Sequence, residues 1–351
     1  MFERLVTPPE GITFPQGAEV AVLTTADNRH LRAAFWPAPG DGRKGTVFVL
    51  HGRSEYIEKY AEVFTRLLAK GYAIATLDWR GQGGSERLLH SRAKGHIEEF
   101  EDYLIDLDAL YDEAKRRALP EPYSILAHSM GGAITILALA TGTTRFRRAI
   151  LSAPLVEIAL PVFQSGARVL ARFFVSIGFS AAYIPGGGRQ PIGDKPFENN
   201  PLTSDQGRYD AARAWIKAEP YIAIGDPTIG WIDAAFNALE TFKTEDFGEK
   251  NRTPILMMLA GKDRVVSSRA AARLAARMRG ASAIELSDSQ HEILLEKDTI
   301  QERFWSAFDA FITPPEAACN AASATNESLN AAPEQTDYST ADEQAKVSQA
   351  E

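Results

Sequence analysis

With 351 residues the chain is long enough to hide roughly three quarters of its unfolded surface if most of it folds as one domain. Of a formal net charge of −8, six negative charges lie in the last 38 residues, where seven acidic side chains stand against one lysine. The remainder is close to neutral, which argues against nucleic acid as a partner, and the single Cys319 excludes a disulfide framework or a thiolate metal site.

The opening MFERLVTPPEG has no apolar leader core, and no apolar run is long enough to cross a bilayer. A soluble, cytoplasmic protein is expected, with room for peripheral contact with a membrane surface. Nothing in the sequence speaks to oligomeric state.

Residues 18–25 and 31–36 (AEVAVLTT and LRAAFW), separated by Ala-Asp-Asn-Arg-His, predict an opening antiparallel hairpin. Apolar runs then follow at 46–50, 72–79, 123–129, 149–153 and 255–261, each ending in a polar or glycine-containing turn. Runs that are apolar on both faces predict buried parallel strands. Between them, Tyr60, Val63, Phe64, Leu67 and Leu68 form a helical stripe closed by Gly71, and Phe100, Leu104, Leu107 and Leu110 form another. The alternation predicts an α/β architecture, a mostly parallel sheet covered by helices.

The alternation breaks after Pro154. In VEIALPVFQSGARVLARFFVSIGF the strongly polar residues Glu157, Gln164, Arg168 and Arg172 share one helical face, and Pro161 marks a kink. A Gly/Pro-rich stretch and a helical run near 208–218 come next. The expected division is a core of 1–154 and 246–313, a mainly helical cap of 155–245, and a disordered acidic tail of 314–351, too polar to offset its ordering entropy. The cap is either an extra layer completing the core or a lid whose apolar underside forms an acyl-binding wall.

The sharpest chemical signal is Ala-His-Ser-Met-Gly-Gly at 127–132, between a strand-like run and the apolar AITILALA. A tight strand-to-helix turn forces the serine backbone into strained dihedrals and tolerates only small residues two positions away, here Ala127 and Gly131. Such a turn presents Ser129 as a nucleophile; the plainer reading is a helix cap. A serine hydroxyl needs a base, and the base a group that fixes its tautomer. His291 follows the short apolar strand at 283–286 and leads into the helical pattern HEILLEKDTIQERFWSAF, while Asp263 leaves the strand ILMMLA. Each has a structural alternative, a helix cap for His291 and a turn-forming Asx residue for Asp263. Asp288 shares the His291 loop and is the poorer orienting group, and His128 reads as structural. Amides for a developing oxyanion are expected from Met130 and, in the loop after the first core strand, from Arg53. The Arg53 and Glu55 side chains are either surface charges or substrate contacts.

HGRSEYIEKY (51–60), LDWRGQGGSER (77–87), GHIEEFEDYLIDL (95–107), AHSMGG, LTSD (202–205), AGKDRVV (260–266) and HEILLE (291–296) together resemble the lysophospholipase L2 and monoacylglycerol lipase branch of the α/β-hydrolases, over residues 10–312. The resemblance implies an α/β-hydrolase fold with a helical cap inserted after the strand following the nucleophile. It also implies a Ser129–Asp263–His291 triad, an oxyanion hole from Arg53 and Met130, and cofactor-free, metal-free hydrolysis of carboxylic esters of single-chain lipids. Ala127 departs from the family's usual glycine and puts the turn's backbone geometry in question. The substrate is expected to be a lysophospholipid or a monoacylglycerol; Arg53, Arg80, Arg87 and Arg189 are the cations available to a charged head group. The glycine-rich WRGQGGS lacks the Lys-Ser/Thr ending of a phosphate-binding loop. A noncatalytic lipid-binding module is the alternative from another class.

Overall fold

In the computed structural model residues 3–40, 44–159 and 164–312 are described. The tail from Pro314, with Cys319, and the kink expected at Pro161 lie outside them. The hairpin expected at the start is present as β1 (Glu19–Thr24) and β2 (His30–Trp36). It leads into β3 (Thr46–Leu50), β4 (Ala73–Leu77), β5 (Tyr123–His128), β6 (Arg148–Ser152), β7 (Ile255–Ala260) and β8 (Ala281–Leu286). Among the described residues these form one sheet in the order β1-β2-β4-β3-β5-β6-β7-β8. Strand β2 pairs antiparallel with β1 and β4, and every other pairing is parallel.

Helices α1 (Ala61–Ala69), α2 (Asp102–Arg116), α3 (Met130–Ala140), α7 (Ser268–Arg277) and α8 (Asp298–Ile312) cross between or follow the parallel strands. Strands β3, β4, β5 and β7 are buried along their whole length, as their unbroken apolar runs require when helices cover a sheet. Strand β8 is longer than the short apolar strand read at 283–286: it starts at Ala281 and exposes Ser282 to Glu285, because it is an edge strand paired only with β7. The final helix is also shorter than its apolar pattern suggested. Residues 293–295 form a separate 3-10 turn, and α8 begins only at Asp298.

Between β6 and β7 lie α4 (Gln164–Ser176), α5 (Gln206–Ala218) and α6 (Ile229–Thr241). Asp205 caps α5 and Thr228 caps α6, each accepting a hydrogen bond from a backbone N–H three residues on. Helix α4 packs on α6 through Ala171, Ile229 and Phe236. By its contacts the chain divides into a unit of residues 1–309, which includes this helical insertion and all eight strands, and a second unit from 310 on.

A parallel sheet delivers the loops that leave its strands to one end. The loops after β3, β5, β7 and β8 carry His51–Glu55, Ser129, Asp263 and His291 to that end.

Candidate active site

Ser129 occupies the turn between β5 and α3 with φ 50° and ψ −114°, a left-handed backbone that a side chain adopts only under strain. The crowding that requires small neighbours is explicit at Gly131, where a Cβ would lie 2.4 Å from the Leu50 carbonyl oxygen and 2.8 Å from that of His51. Ala127 fits because it is still a strand residue, in register with Leu50 on one side and Leu151 on the other. The turn keeps its geometry without a glycine there.

Three side chains from separate loops meet. Ser129 Oγ lies 3.0 Å from His291 Nε2, and His291 Nδ1 lies 2.8 Å from Asp263 Oδ2. The other carboxylate oxygen of Asp263 accepts from the Val265 and Val266 N–H groups at 2.8 and 2.9 Å. Burial alone pushes the Asp263 carboxyl up, but the adjoining His291 imidazole and these two amides outweigh it and hold the group below its ordinary value. An ionised carboxylate only accepts hydrogen bonds, so it assigns the imidazole proton to Nδ1 and leaves Nε2 free to accept from the serine hydroxyl.

The amides of Arg53 and Met130 donate no hydrogen bond to other described groups. Met130 opens α3, where the first N–H groups have no partner within the helix. The Arg53 loop is pressed against the serine: a Cβ on Gly52 would come within 3.1 Å of the Ser129 Cβ. Ser54, at φ 64°, donates its N–H to Gln82 Oε1 at 2.7 Å, which turns this loop toward the sheet end.

Above these residues is a cavity of about 210 Å³. Its floor includes Gly52, Arg53, Ser129, Met130 and His291, and its walls include Leu155, Ile158, Leu202, Ile216, Trp231 and Ile232. The insertion therefore walls the cavity through α5, α6 and their loops. Helix α4 contributes none of the lining residues and instead exposes Val169, Leu170 and Phe173. Its Arg168 and Arg172 face α6, pairing with Glu240 at 2.8 Å and Asp233 at 3.8 Å. The helix therefore meets α6 through Ala167, Ala171, Phe174 and Val175, its arginines pair along the exposed edge of that contact, and a second apolar strip is left in solvent.

A family described as serine aminopeptidase S33 matches residues 41–298. The chain belongs to that family of α/β-hydrolases. Lysophospholipase L2 of Escherichia coli is 32% identical over 264 residues, 73% of this chain and 76% of its own length. Monoglyceride lipase of Rattus norvegicus is 32% identical over 151 residues, 42% of this chain and 47% of its own. A solved structure of a soluble variant of monoglyceride lipase from Saccharomyces cerevisiae superposes with a TM-score of 0.67 at 19% identity, covering 87% of this chain and 98% of that one. This last likeness speaks to the fold.

The hydrolase holds a second polar cluster that sequence reasoning left unassembled. Lys59 donates to Glu55 at 2.7 Å and to Glu292 at 2.5 Å, and all three side chains are at most 8% exposed. The second oxygen of Glu55 accepts from the Gly52 N–H at 2.5 Å and from the Tyr60 hydroxyl at 2.9 Å. Glu55 is therefore no surface charge; it anchors the loop that carries the Arg53 amide. Burial works to raise the Glu55 carboxyl, yet Lys59, His128 and His51 hold it far below the usual range, while Glu292, sharing the same lysine, is pushed up by burial. Only the spacing of Glu55 and Lys59, one helical turn apart, was available as a signal; Glu292 comes from the far end of the chain. His128 has the structural place read for it, buried with Nδ1 3.0 Å from the Ser152 carbonyl oxygen.

The glycine-rich loop after β4 wraps a protein carboxylate. A Cβ on Gly83 would fall 2.1 Å from Asp78 Cγ, and the Gly84 N–H donates to Asp78 Oδ2 at 2.7 Å. Among the described residues no cluster of His, Cys, Asp or Glu has the arrangement to hold a metal ion.

Proposed function

We propose that this hydrolase cleaves carboxylic esters of single-chain lipids, acting as a lysophospholipase that releases a fatty acid. The observation that carries the reading is the serine hydroxyl 3.0 Å from an imidazole nitrogen at the floor of an apolar cavity. His291 Nε2 takes the Ser129 proton as the oxygen attacks the ester carbonyl. The tetrahedral oxyanion is received by the N–H groups of Arg53 and Met130. His291 then returns the proton to the departing alcohol, a glycerophospho-alcohol or glycerol. Water, activated by the same imidazole, cleaves the acyl-enzyme, and Asp263 stays ionised throughout, holding the ring in its tautomer. The route uses only the chain's own groups and water.

Single-chain lipids follow from the walls. Each methylene moved from water into the space between Leu155, Ile158, Leu202 and Ile216 contributes about 0.8 kcal/mol, so a fatty acyl chain gains far more than an acetyl group. The relatives named lysophospholipase L2 and monoglyceride lipase support the same class. A monoacylglycerol lipase or a broad carboxylesterase is the alternative, distinguished by the alcohol and acyl length preferred.

Helix α4 supports peripheral contact with a lipid surface. Val169, Leu170, Phe173, Ile177 and Phe179 are 49–69% exposed within a short span of chain, which is costly in water and favourable against acyl chains. No helix among the described residues is long and apolar enough to cross a membrane. The triple variant V169S/L170S/F173S is expected to sediment less with phosphatidylcholine vesicles than wild type; equal sedimentation removes this contact from the account.

The function is tested by a hydrolysis panel of lysophosphatidylcholine, monoacylglycerols of several lengths and short p-nitrophenyl esters, with Ser129→Ala as control. Long-chain lipids are expected to have the highest kcat/KM. A preference for two- to four-carbon esters defeats the lipid assignment and leaves the ester chemistry standing.

A further inference from the structure

The cavity wall contains two permanently charged cations, Arg53 and Lys59, and their situations differ. Lys59 is committed to two carboxylates, Glu55 and Glu292, and has no charge to spare for an anionic ligand. Arg53 makes one hydrogen bond, from Nη2 to the Gly225 carbonyl oxygen at 3.1 Å, and stacks its guanidinium 5.0 Å from the centre of the Trp231 ring. Its Nε is buried without a partner, and Asp226, a carboxylate on the same wall, attracts it only from beyond ion-pair distance. The other arginines open to a head group in the sequence are placed elsewhere. Arg80 is consumed by Asp106 and Asp27, Arg87 by the backbone carbonyls of Gly83, Ser85, Arg92 and Tyr221, and Arg189 is not part of this wall.

A guanidinium in an apolar wall with an unpartnered donor is unfavourable in the empty protein, and burial lowers the Arg53 pKa to about 10. The missing partner is an anion able to accept from a planar fork of N–H donors, which is the geometry of two phosphate oxygens. The position suits one substrate portion. In the reading above the N–H of this same residue is an oxyanion donor, and its loop is pressed against Ser129, so its side chain on the cavity wall is placed for the alcohol portion of the ester. In a lysophospholipid the phosphodiester is one glycerol backbone from that carbonyl; a monoacylglycerol has only a hydroxyl there.

We propose that the Arg53 side chain receives the phosphodiester of the substrate's alcohol portion and makes the site select lysophospholipids over neutral monoacylglycerols. The assignment rests on the ester-hydrolysis reading above. A site built around a charged group loses most when the substrate lacks the matching partner, so discrimination resides in this one side chain.

The test compares wild type, R53M, R53Q and R53K on lysophosphatidylcholine and on the monoacylglycerol of the same acyl chain, in the same neutral detergent micelles. Fluorophosphonate labelling of Ser129 is followed in each variant to report the serine independently of the head group. The readout is the ratio of the two kcat/KM values, which cancels changes in the oxyanion loop common to both substrates. The ratio is expected to fall about tenfold or more in R53M and R53Q, the size of one charge-assisted hydrogen bond, and to recover in part in R53K. R53Q keeps a donor for the Gly225 carbonyl and so separates charge from loop structure should R53M fail to fold. An unchanged ratio in labelled, folded variants overturns the head-group assignment alone. Wild-type protein that cleaves neither ester overturns the underlying reading, and the assignment falls with it.

Discussion

Ser129 pays for its position with a backbone at φ 50°, and that strain is what places its hydroxyl 3.0 Å from His291. Replacing it with alanine is expected to lower turnover on the order of 10⁶-fold while leaving the fold intact, measured as kcat with the lipid panel. Asp263→Asn keeps the side-chain shape but offers N–H where the imidazole needs an acceptor, and kcat is expected to fall about 10⁴-fold. His128 provides a pH signature at the same scale. Burial pushes its imidazole from 6.5 down to about 4, with Glu55 opposing and His291 reinforcing the shift. The unfolded chain therefore takes up this proton at a higher pH than the folded one. The contribution of neutral His128 to stability is complete above pH 6.5 and is lost as the pH falls toward 4, by about 3 kcal/mol across that window. Urea unfolding of wild type and His128→Asn between pH 4.5 and 7 should show a flatter dependence for the variant; parallel curves place the titration elsewhere.

At the scale of elements, the site is a set of loop ends brought together by a parallel sheet. Ser129, Asp263 and His291 stand out in the sequence because each follows a strand-like run, and a strand end is where a parallel sheet exposes its loops. Other features are legible only after folding. Helix α6 is marked in the sequence only by Asp233, Asn237 and Glu240 at helical spacing within the otherwise mostly apolar TIGWIDAAFNALETF, yet it supplies Trp231 and Ile232 to the cavity. Residues 291–297 continue the apolar pattern of α8 but do not join it, because the Glu292 N–H is drawn to the Leu202 carbonyl oxygen at 2.7 Å and its side chain to Lys59. The exposed apolar strip of α4 was equally hidden: its polar stripe is plain in the sequence, but the helix turns Ala171 and its apolar neighbours to Ile229 and Phe236 of α6 and leaves Val169, Leu170 and Phe173 in solvent. The cluster joining Glu55, Lys59 and Glu292 ties the Arg53 loop to the His291 loop. Lys59→Met leaves two buried carboxylates facing each other and is expected to destabilise the protein by about 3–5 kcal/mol, read from the denaturant midpoint. A change within 0.5 kcal/mol means that the cluster contributes nothing to joining the two loops.

Across the whole molecule, a buried ionic hub locks the antiparallel start of the sheet to its parallel body. Arg32 on β2 pairs with Glu58 ahead of α1 at 2.7 Å and with Asp78 after β4 at 2.5 Å, and all three side chains are fully buried. Asp78 also accepts from the Ile57 N–H at 2.9 Å, so the hub reaches the segment that follows the Gly52–Glu55 loop. Burial raises the Asp78 carboxyl, but Arg32, His51 and the Gly84 amide overcome it and bring the pKa to about 2. Fold and site thus depend on one another: the sheet end holds an imidazole 3.0 Å from a hydroxyl and 2.8 Å from a carboxylate. The most direct test is mass spectrometry of protein quenched during turnover of a long-chain lysophospholipid. An acyl adduct on the peptide bearing Ser129, lost in Ser129→Ala together with activity, is the predicted result. Ester turnover that proceeds undiminished in Ser129→Ala, with no adduct at that position in wild type, contradicts the account.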